Sequence, residues 1–216
     1  MANNARQICK YQTNKCLIEF NDNLVIAEPE AASNIHGKYS RIQLVAMDYS
    51  QGTGEKTIIA DYNLNPETAK YIAEEVINGV MFLENRILTC RTQEADTFKF
   101  KMFSEQKILS HRSNDAGRSK VTILSIEYDR SKKYCWIVTV ENGLAIAERQ
   151  PNGGTAMKRG SYKKEKTVRA FISDYDFKKL MITLRDYIRT WETVNLNRLL
   201  KARETFEQNL QAERIA

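Results

Sequence analysis

The sequence predicts an α+β fold made of a tandem strand-strand-helix repeat, its bent antiparallel sheets packed on two helices, with a further helix at the C-terminus. Three observations predict it. A nine-residue stretch occurs twice, at 41–49 (RIQLVAMDY) and 79 positions later at 120–128 (KVTILSIEY). Each copy reads base, aliphatic, polar, aliphatic, aliphatic, small, aliphatic, acid, tyrosine. In both, the apolar set changes parity mid-run, so each strand is either buried on both faces at its centre or bulged. A second strand-like run, 55–60, recurs as 165–170. Each run then leads into a helix with its own start signal. Asn65 precedes Pro66, a residue suited to the first helical position, while Ser173 and Asp176 make a capping-box variant. Aligned on these caps, Ala69, Ile72, Ala73, Val76 and Val80 match Phe177, Leu180, Met181, Leu184 and Ile188, one helical stripe each.

In chain order, residues 1–14 are polar and are expected to be a flexible terminus. Residues 16–20 and 24–28 read as a hairpin turning at Asn21, Asp22 and Asn23, which tolerate left-handed backbone. A loop over 29–40 leads to the first repeated strand. The glycine-bearing segment 50–54 turns it into a partner, 56–62, and the first helix runs to Asn78 with Gly79 as its cap. Strands are expected at 86–91 and 97–103, then a polar loop at 111–119. After the second repeated strand, residues 129–133 form a basic turn into a strand over 134–140. Glu141, Asn142 and Gly143 signal a hairpin turn into 144–148. A long loop over 150–164 precedes the second helix, 174–191. A stripe of Leu196, Leu199, Leu200, Phe206 and Leu210 marks an amphipathic helix within 193–216. The repeat domain thus covers 15–192, as repeats at about 15–80 and 86–192.

Composition narrows the class. With 216 residues, 42 % of them hydrophobic and only three prolines, the chain is long and apolar enough for a real core. No run approaches the ~18 apolar residues of a membrane span, and the start lacks the apolar region of a signal peptide. Four scattered cysteines fit a reduced, cytoplasmic setting. The net charge of +6 is concentrated: residues 118–169 hold 12 Lys/Arg against 5 Asp/Glu, leaving the rest of the chain at −1. Such clustering is the footprint of a polyanion partner.

Candidate contacts follow from that segment. Tyr128, Tyr134, Trp136 and Tyr162 are candidates for stacking on bases. Arg130, Lys132, Lys133, Arg149, Lys158, Arg159, Lys163, Lys164 and Lys166 are candidates for phosphates. The 150–164 loop combines Gly153, Gly154 and Gly160 with cations and Tyr162, so amides, charge and a ring can conform together to a nucleic-acid backbone. It is no nucleotide-hydrolase phosphate loop, since G-x-x-x-x-G-K-[ST] is absent. No catalytic constellation is visible, and neither His36 nor His111 has metal-ligand spacing around it. The expectation is a non-enzyme without cofactor or metal. Asp48 and Glu127, matched in the repeats, leave a metal-dependent nuclease as a third reading.

Tandem strands and helix, with basic and aromatic residues on the strands, resemble the Whirly, Pur-alpha and PC4 group of single-stranded nucleic-acid-binding proteins. The resemblance is architectural and covers roughly residues 15–192. It implies two antiparallel four-stranded sheets and two helices about a twofold or pseudo-twofold, with bases stacked on sheet aromatics and lysines tracking phosphates. Strand material at 134–148 and the 150–164 loop exceed a four-strand repeat. The function so implied is sequence-tolerant binding of single-stranded DNA or RNA, in transcription or DNA maintenance. The alternative, from another class, is a protein–protein adaptor assembling through the C-terminal helix, which either docks on its own domain or joins a second copy.

Overall fold

The computed structural model describes residues 6–26, 40–79, 99–113 and 117–215. Gln7–Gln12 (β1), Cys16–Asn23 (β2), Arg41–Asp48 (β3) and Ile58–Leu64 (β4) pair in chain order as an antiparallel sheet, followed by helix Pro66–Asn78 (α1). The pattern then repeats. Lys99–Ser113 (β5), Ser119–Asp129 (β6) and Trp136–Ala145 (β7) pair in order, and Lys163–Ile172 (β10) closes the second sheet before helix Asp174–Val194 (α2). Between β7 and β10 lies a two-stranded ribbon of Ala147–Arg149 (β8) and Thr155–Met157 (β9). Helix Leu196–Ile215 (α3) ends the described chain. The fold is therefore α+β, each unit four strands and a helix. No helix among the described residues is long and apolar enough to cross a membrane.

The two units correspond row by row. Across the first sheet, pairing aligns Ile18, Ala46 and Ala60, then Phe20, Leu44 and Tyr62. Across the second it aligns Leu124, Val140 and Val168, then Ile126, Val138 and Ala170. All twelve are buried, and the volumes trade: Tyr62 is large where Ala170 is small, Ala46 small where Val140 is larger. Next come Ile42 with Leu64, and Trp136 with Ile172, each pair directly before a helix cap. The stripes of α1 and α2 foreseen from sequence close this core from Ala69 to Val76 and from Phe177 to Ile188. Ser173 caps α2 by accepting from the Asp176 amide at 3.1 Å, and its hydroxyl donates to the Asp176 carboxylate at 2.6 Å.

This register corrects the duplication read from sequence. Both 41–49 and 120–128 are strand, but β3 is the third strand of its unit and β6 the second; the counterpart of β3 is β7. Packing between the units agrees, since β4 lies against β7 and β6 just as β10 lies against β3 and β2. Aligning Leu64 with Ile172 also moves the second echo by two residues, which preserves the inward face because strands have period two. Neither repeated strand is bulged against its neighbours on the β2, β4 or β7 side. The parity switch instead reflects apolar residues on both faces, as at Val45 and Met47 opposite Leu44 and Ala46.

Each unit's last strand presents an unpaired edge, and the other unit satisfies it with side chains. The Asn142 amide accepts from the Asp61 backbone N–H at 2.9 Å and donates to the Asp61 carbonyl at 2.8 Å, an imitation of a neighbouring strand. Lys107 Nζ donates to the Asn63 carbonyl at 2.8 Å, and Tyr11 Oη to the Phe171 carbonyl at 3.4 Å. Asn63 and Phe171 are equivalent positions, so the same device serves both halves. Replacing Asn142 by alanine should leave both part-buried Asp61 backbone groups without that partner and destabilise the protein by roughly 1–3 kcal/mol. Urea denaturation measures this; parent-like stability would mean that the edge does not need Asn142.

Four expectations fail for the same reason, that tertiary pairing outweighs local turn propensity. Residues 7–12, expected to be flexible, form β1, held by β2 on one side and by α2 on the other. Cys9 Sγ of β1 donates to the Leu180 carbonyl of α2 at 3.6 Å, and α2 also reaches β2, where Tyr187 Oη donates to Asp22 Oδ2 at 2.6 Å and its phenol is pushed up to about 12. The turn expected at Asn21–Asn23 is the end of β2, where Asn21 is buried between Gln7 and Gln43. The turn expected at Glu141–Gly143 is mid-strand β7. Gly143 is needed there for close approach, since a Cβ would stand 2.4 Å from the Lys163 carbonyl oxygen and 2.8 Å from a Tyr162 ring carbon. His111 to Ser113, expected in a loop, continue β5. With the turn at Asn21–Asn23 absent, the strand expected at 24–28 does not form over residues 24–26, which leave β2 without pairing to any strand, while 27–28 and the strand expected at 86–91 lie outside the described residues.

Asn195 separates α2 from α3, its side chain donating to the Trp191 carbonyl at 2.9 Å. Helix α3 meets the body mainly through α2, and Leu196 and Leu200 remain exposed. The side chains of Phe206 and Leu210 lie outside those described. Ending the chain at Asn195 should therefore leave the melting temperature unchanged. A fall of several degrees in thermal denaturation would show that α3 docks on its own domain.

Candidate nucleic-acid interface

Helices cover the inner faces of the sheets, and the remaining strand side chains form the outer faces. In β10 the outward parity is Thr167, Arg169 and Phe171, and the partners across β7 are Glu141, Thr139 and Ile137. Phe171 is 40 % exposed, large for a phenylalanine in a paired strand. Two cations flank it: the Arg169 guanidinium is 5.3 Å from its ring centroid and Lys132 Nζ 5.8 Å. These are distances of cation–π attraction.

Lys132 is delivered by the turn between β6 and β7. Asp129 organises that turn, accepting from the Ser131 amide at 3.1 Å and hydroxyl at 2.6 Å, with Lys132 at 3.2 Å from its other oxygen. Burial works against the Asp129 charge, but the hydrogen bonds from Ser131 and Lys132 outweigh it and hold the carboxyl below its usual range. The turn carries Arg130, Lys132, Lys133 and Tyr134 outward, all exposed, with Lys133 Nζ 5.8 Å from the Tyr134 ring centroid. Tyr134 is 46 % exposed. Tyr11 of β1 joins the same end, beneath Phe171. Burial is the main cause that raises its phenol, with nearby Cys16, Asp176 and Tyr134 adding. Lys99 and Arg169 both pair with Glu127 across this face, Arg169 at 3.6 Å. The end of the second sheet, with Tyr11 of β1 beside it, thus gathers three aromatic rings and five cations against Glu127 and Asp129.

The other expected residues divide. Tyr128 and Trp136 are core, not platform: both are buried, their rings meet at 4.9 Å between centroids with planes tilted by 59°, and Trp136 meets Phe177 at 5.2 Å. Even-numbered positions of β6 and β7 face inward, and the Trp136 indole N–H is satisfied by Asp174 Oδ1 at 3.0 Å. Tyr162 is half-buried, its ring laid over Gly143. Burial and the adjacent Glu141 carboxylate push its phenol up to about 12, and its hydroxyl meets no hydrogen-bond geometry among the described residues.

Residues 150–164 are less a loop than the ribbon β8–β9 and a turn. Gly153, at φ 81°, closes the ribbon, and the Ser161 hydroxyl accepts from the Ile146 amide. Arg149, Lys158, Arg159, Lys163, Lys164 and Lys166 all sit at this far end of β10 and are exposed. Lys164 approaches Glu141 at 3.6 Å. Lys158, Arg159, Lys163 and Lys166 make no ion pair among the described residues.

The signal for Phe171 and Arg169 was present in the sequence, as the outward parity of a strand ending at the Ser173 cap. Tyr11 had no such signal, because its strand exists only through β2 and α2. Asp48 and Glu127 do not form a shared site: Asp48 accepts the Ser50 amide at 2.7 Å at the end of β3, and Glu127 is engaged by Lys99 and Arg169 in the other sheet. No group of three metal-ligating side chains gathers among the described residues. His36 lies outside them.

Comparison with protein-family models, with curated proteins and with solved structures found no match to this chain.

Proposed function

We propose that this protein binds single-stranded nucleic acid, without catalysis, on the outer face of its second sheet. One observation carries the reading: Phe171 and Tyr134 stand exposed on that face, interleaved with Lys132, Lys133 and Arg169. Exposed rings accept bases of any identity, and the cations between them meet the phosphates. Duplex DNA keeps its bases stacked and paired inside, so a platform of this kind favours strands whose bases are free. Two four-stranded sheets and two helices about a pseudo-twofold are the arrangement that the Whirly and Pur-alpha likeness implies, which further supports the reading.

Fluorescence anisotropy with labelled single-stranded and duplex oligonucleotides, at low and at moderate salt, tests it. Tighter binding of single strands, weakening linearly in the logarithm of salt, is expected. Equal binding of duplex, or no binding at low salt, overturns it. The exposed Leu196 and Leu200 on α3 support assembly with a protein partner as the second reading. A solution mass that falls on removal of α3 would favour it.

A further inference from the structure

The chain contains two equivalent sheets, and among the described residues only the second carries an exposed ring and unpaired cations together along its last strand. We infer that each chain takes a single strand, laid lengthwise along β10 from the Lys158–Lys166 end to the Phe171 end, while the first sheet takes none. This rests on the proposed single-strand site and adds its path, footprint and stoichiometry.

The sidedness follows from the row correspondence. Where β10 presents Thr167, Arg169 and Phe171, β4 presents Ile59, Asp61 and Asn63. The cation is replaced by an acid and the ring by an amide. Asp61 is moreover engaged by Lys120 Nζ at 2.9 Å. The connections differ in the same sense. The link between β7 and β10 brings Arg149, Lys158 and Arg159 against Glu148, whereas the link between β3 and β4 balances Glu55 with Lys56. The basic turn of residues 130–135 has as its counterpart residues 24–40, whose sequence holds Glu28 and Glu30 against Lys38.

The path follows from where the cations lie. Both basic groups adjoin β10, one at each end, and its ten residues span ~30 Å at the usual rise of a strand. Arg169 stands between them on the outer face, so the negative Glu141 is bridged on both sides by cations. A strand long enough to touch both ends binds the second one intramolecularly, at high effective concentration. The footprint implied falls within the roughly 4–16 nucleotides that grooves of small single-strand-binding domains hold.

Native mass spectrometry and anisotropy on the full chain, with oligothymidylates of four, eight, twelve and sixteen nucleotides, test this. One twelve-nucleotide strand per chain is expected at saturation. Affinity should rise by roughly tenfold or more from four to twelve nucleotides and level off beyond, as bivalent engagement requires. The double variant Arg169→Asp with Phe171→Asn gives β10 the outer residues of β4, both at exposed positions. Its circular dichroism should match the parent, and it should bind twelve nucleotides no better than the parent binds four. Two strands per chain, an affinity independent of length, or a double variant that keeps the length dependence overturns the single path while leaving single-strand binding intact. Absence of binding at every length removes the proposed function as well.

Discussion

Replacing Trp136 by alanine should cost roughly 3–5 kcal/mol of stability, the range for emptying an aromatic site in a packed core. The side chain is fully buried between Tyr128 and Phe177, and its N–H holds Asp174 at the first position of α2. Its removal leaves a void between two rings and takes from Asp174 Oδ1 its indole donor, while Lys178 stays 2.8 Å from the other carboxylate oxygen. A destabilisation on this scale can exceed a third of the stability of an ordinary domain, so the variant should melt well below the parent. Chemical denaturation measures the loss. Below its melting transition the folded fraction should bind single strands with nearly parental affinity, because the indole touches no outward surface. If binding vanished while stability held, Trp136 would be acting as a platform and the assignment of faces in β7 would be wrong.

The same residue shows what was legible in the sequence. Periodicity assigned the first two helices well because each pairs a stripe with a start signal. Ser173 accepts the Asp176 amide at α2, while Asn65 stands at the cap position of α1 without a side-chain hydrogen bond and Pro66 opens the helix. Strand order was less legible. Residues 41–49 and 120–128 look alike because both are central strands flanked on two sides, and central strands converge on one aliphatic pattern whatever their place in a sheet. The identity of a strand's neighbours depends on long-range pairing, which nothing in nine residues encodes. Asn21–Asn23 and Glu141–Gly143 failed as turns on the same principle. Polar residues there satisfy other strands: Asn142 completes the edge of β4, and Gly143 makes room for β10.

The candidate site was half legible. Charge clustering pointed to the basic segment, and the turn bearing Lys132, Lys133 and Tyr134 lies where that reading placed it. The choice of rings was wrong in part because an aromatic near cations in sequence need not share their face. Trp136 and Tyr128 follow the inward parity, whereas Phe171, one residue before the inward Ile172, follows the outward one. Parity counted back from the Ser173 cap marks Phe171 as outward, whereas the inward facing of Trp136 and Tyr128 follows only from the pairing of β6, β7 and β10. Tyr11 required the fold itself.

That separation of rings from charges gives the second large effect. Replacing Phe171 by alanine should weaken single-strand binding by about 1–3 kcal/mol, the usual loss for one base–aromatic stack, and leave its salt dependence nearly unchanged. Replacing Lys158, Arg159, Lys163 and Lys166 together should do the reverse. Each phosphate deprived of its cation shallows the slope by about 0.7, so the quadruple variant should give up as much as roughly 3 units of slope, with its deficit greatest at low salt. The fold should tolerate both changes, since Phe171 is half exposed and the four cations make no ion pair among the described residues. Titrations of parent and both variants at several salt concentrations separate the two signatures. If Phe171→Ala changes the slope as much as the quadruple variant does, the ring works by placing Arg169 and Lys132 and does not itself stack. Unchanged affinity in Phe171→Ala at every salt would move the site off the outer face of β10 altogether.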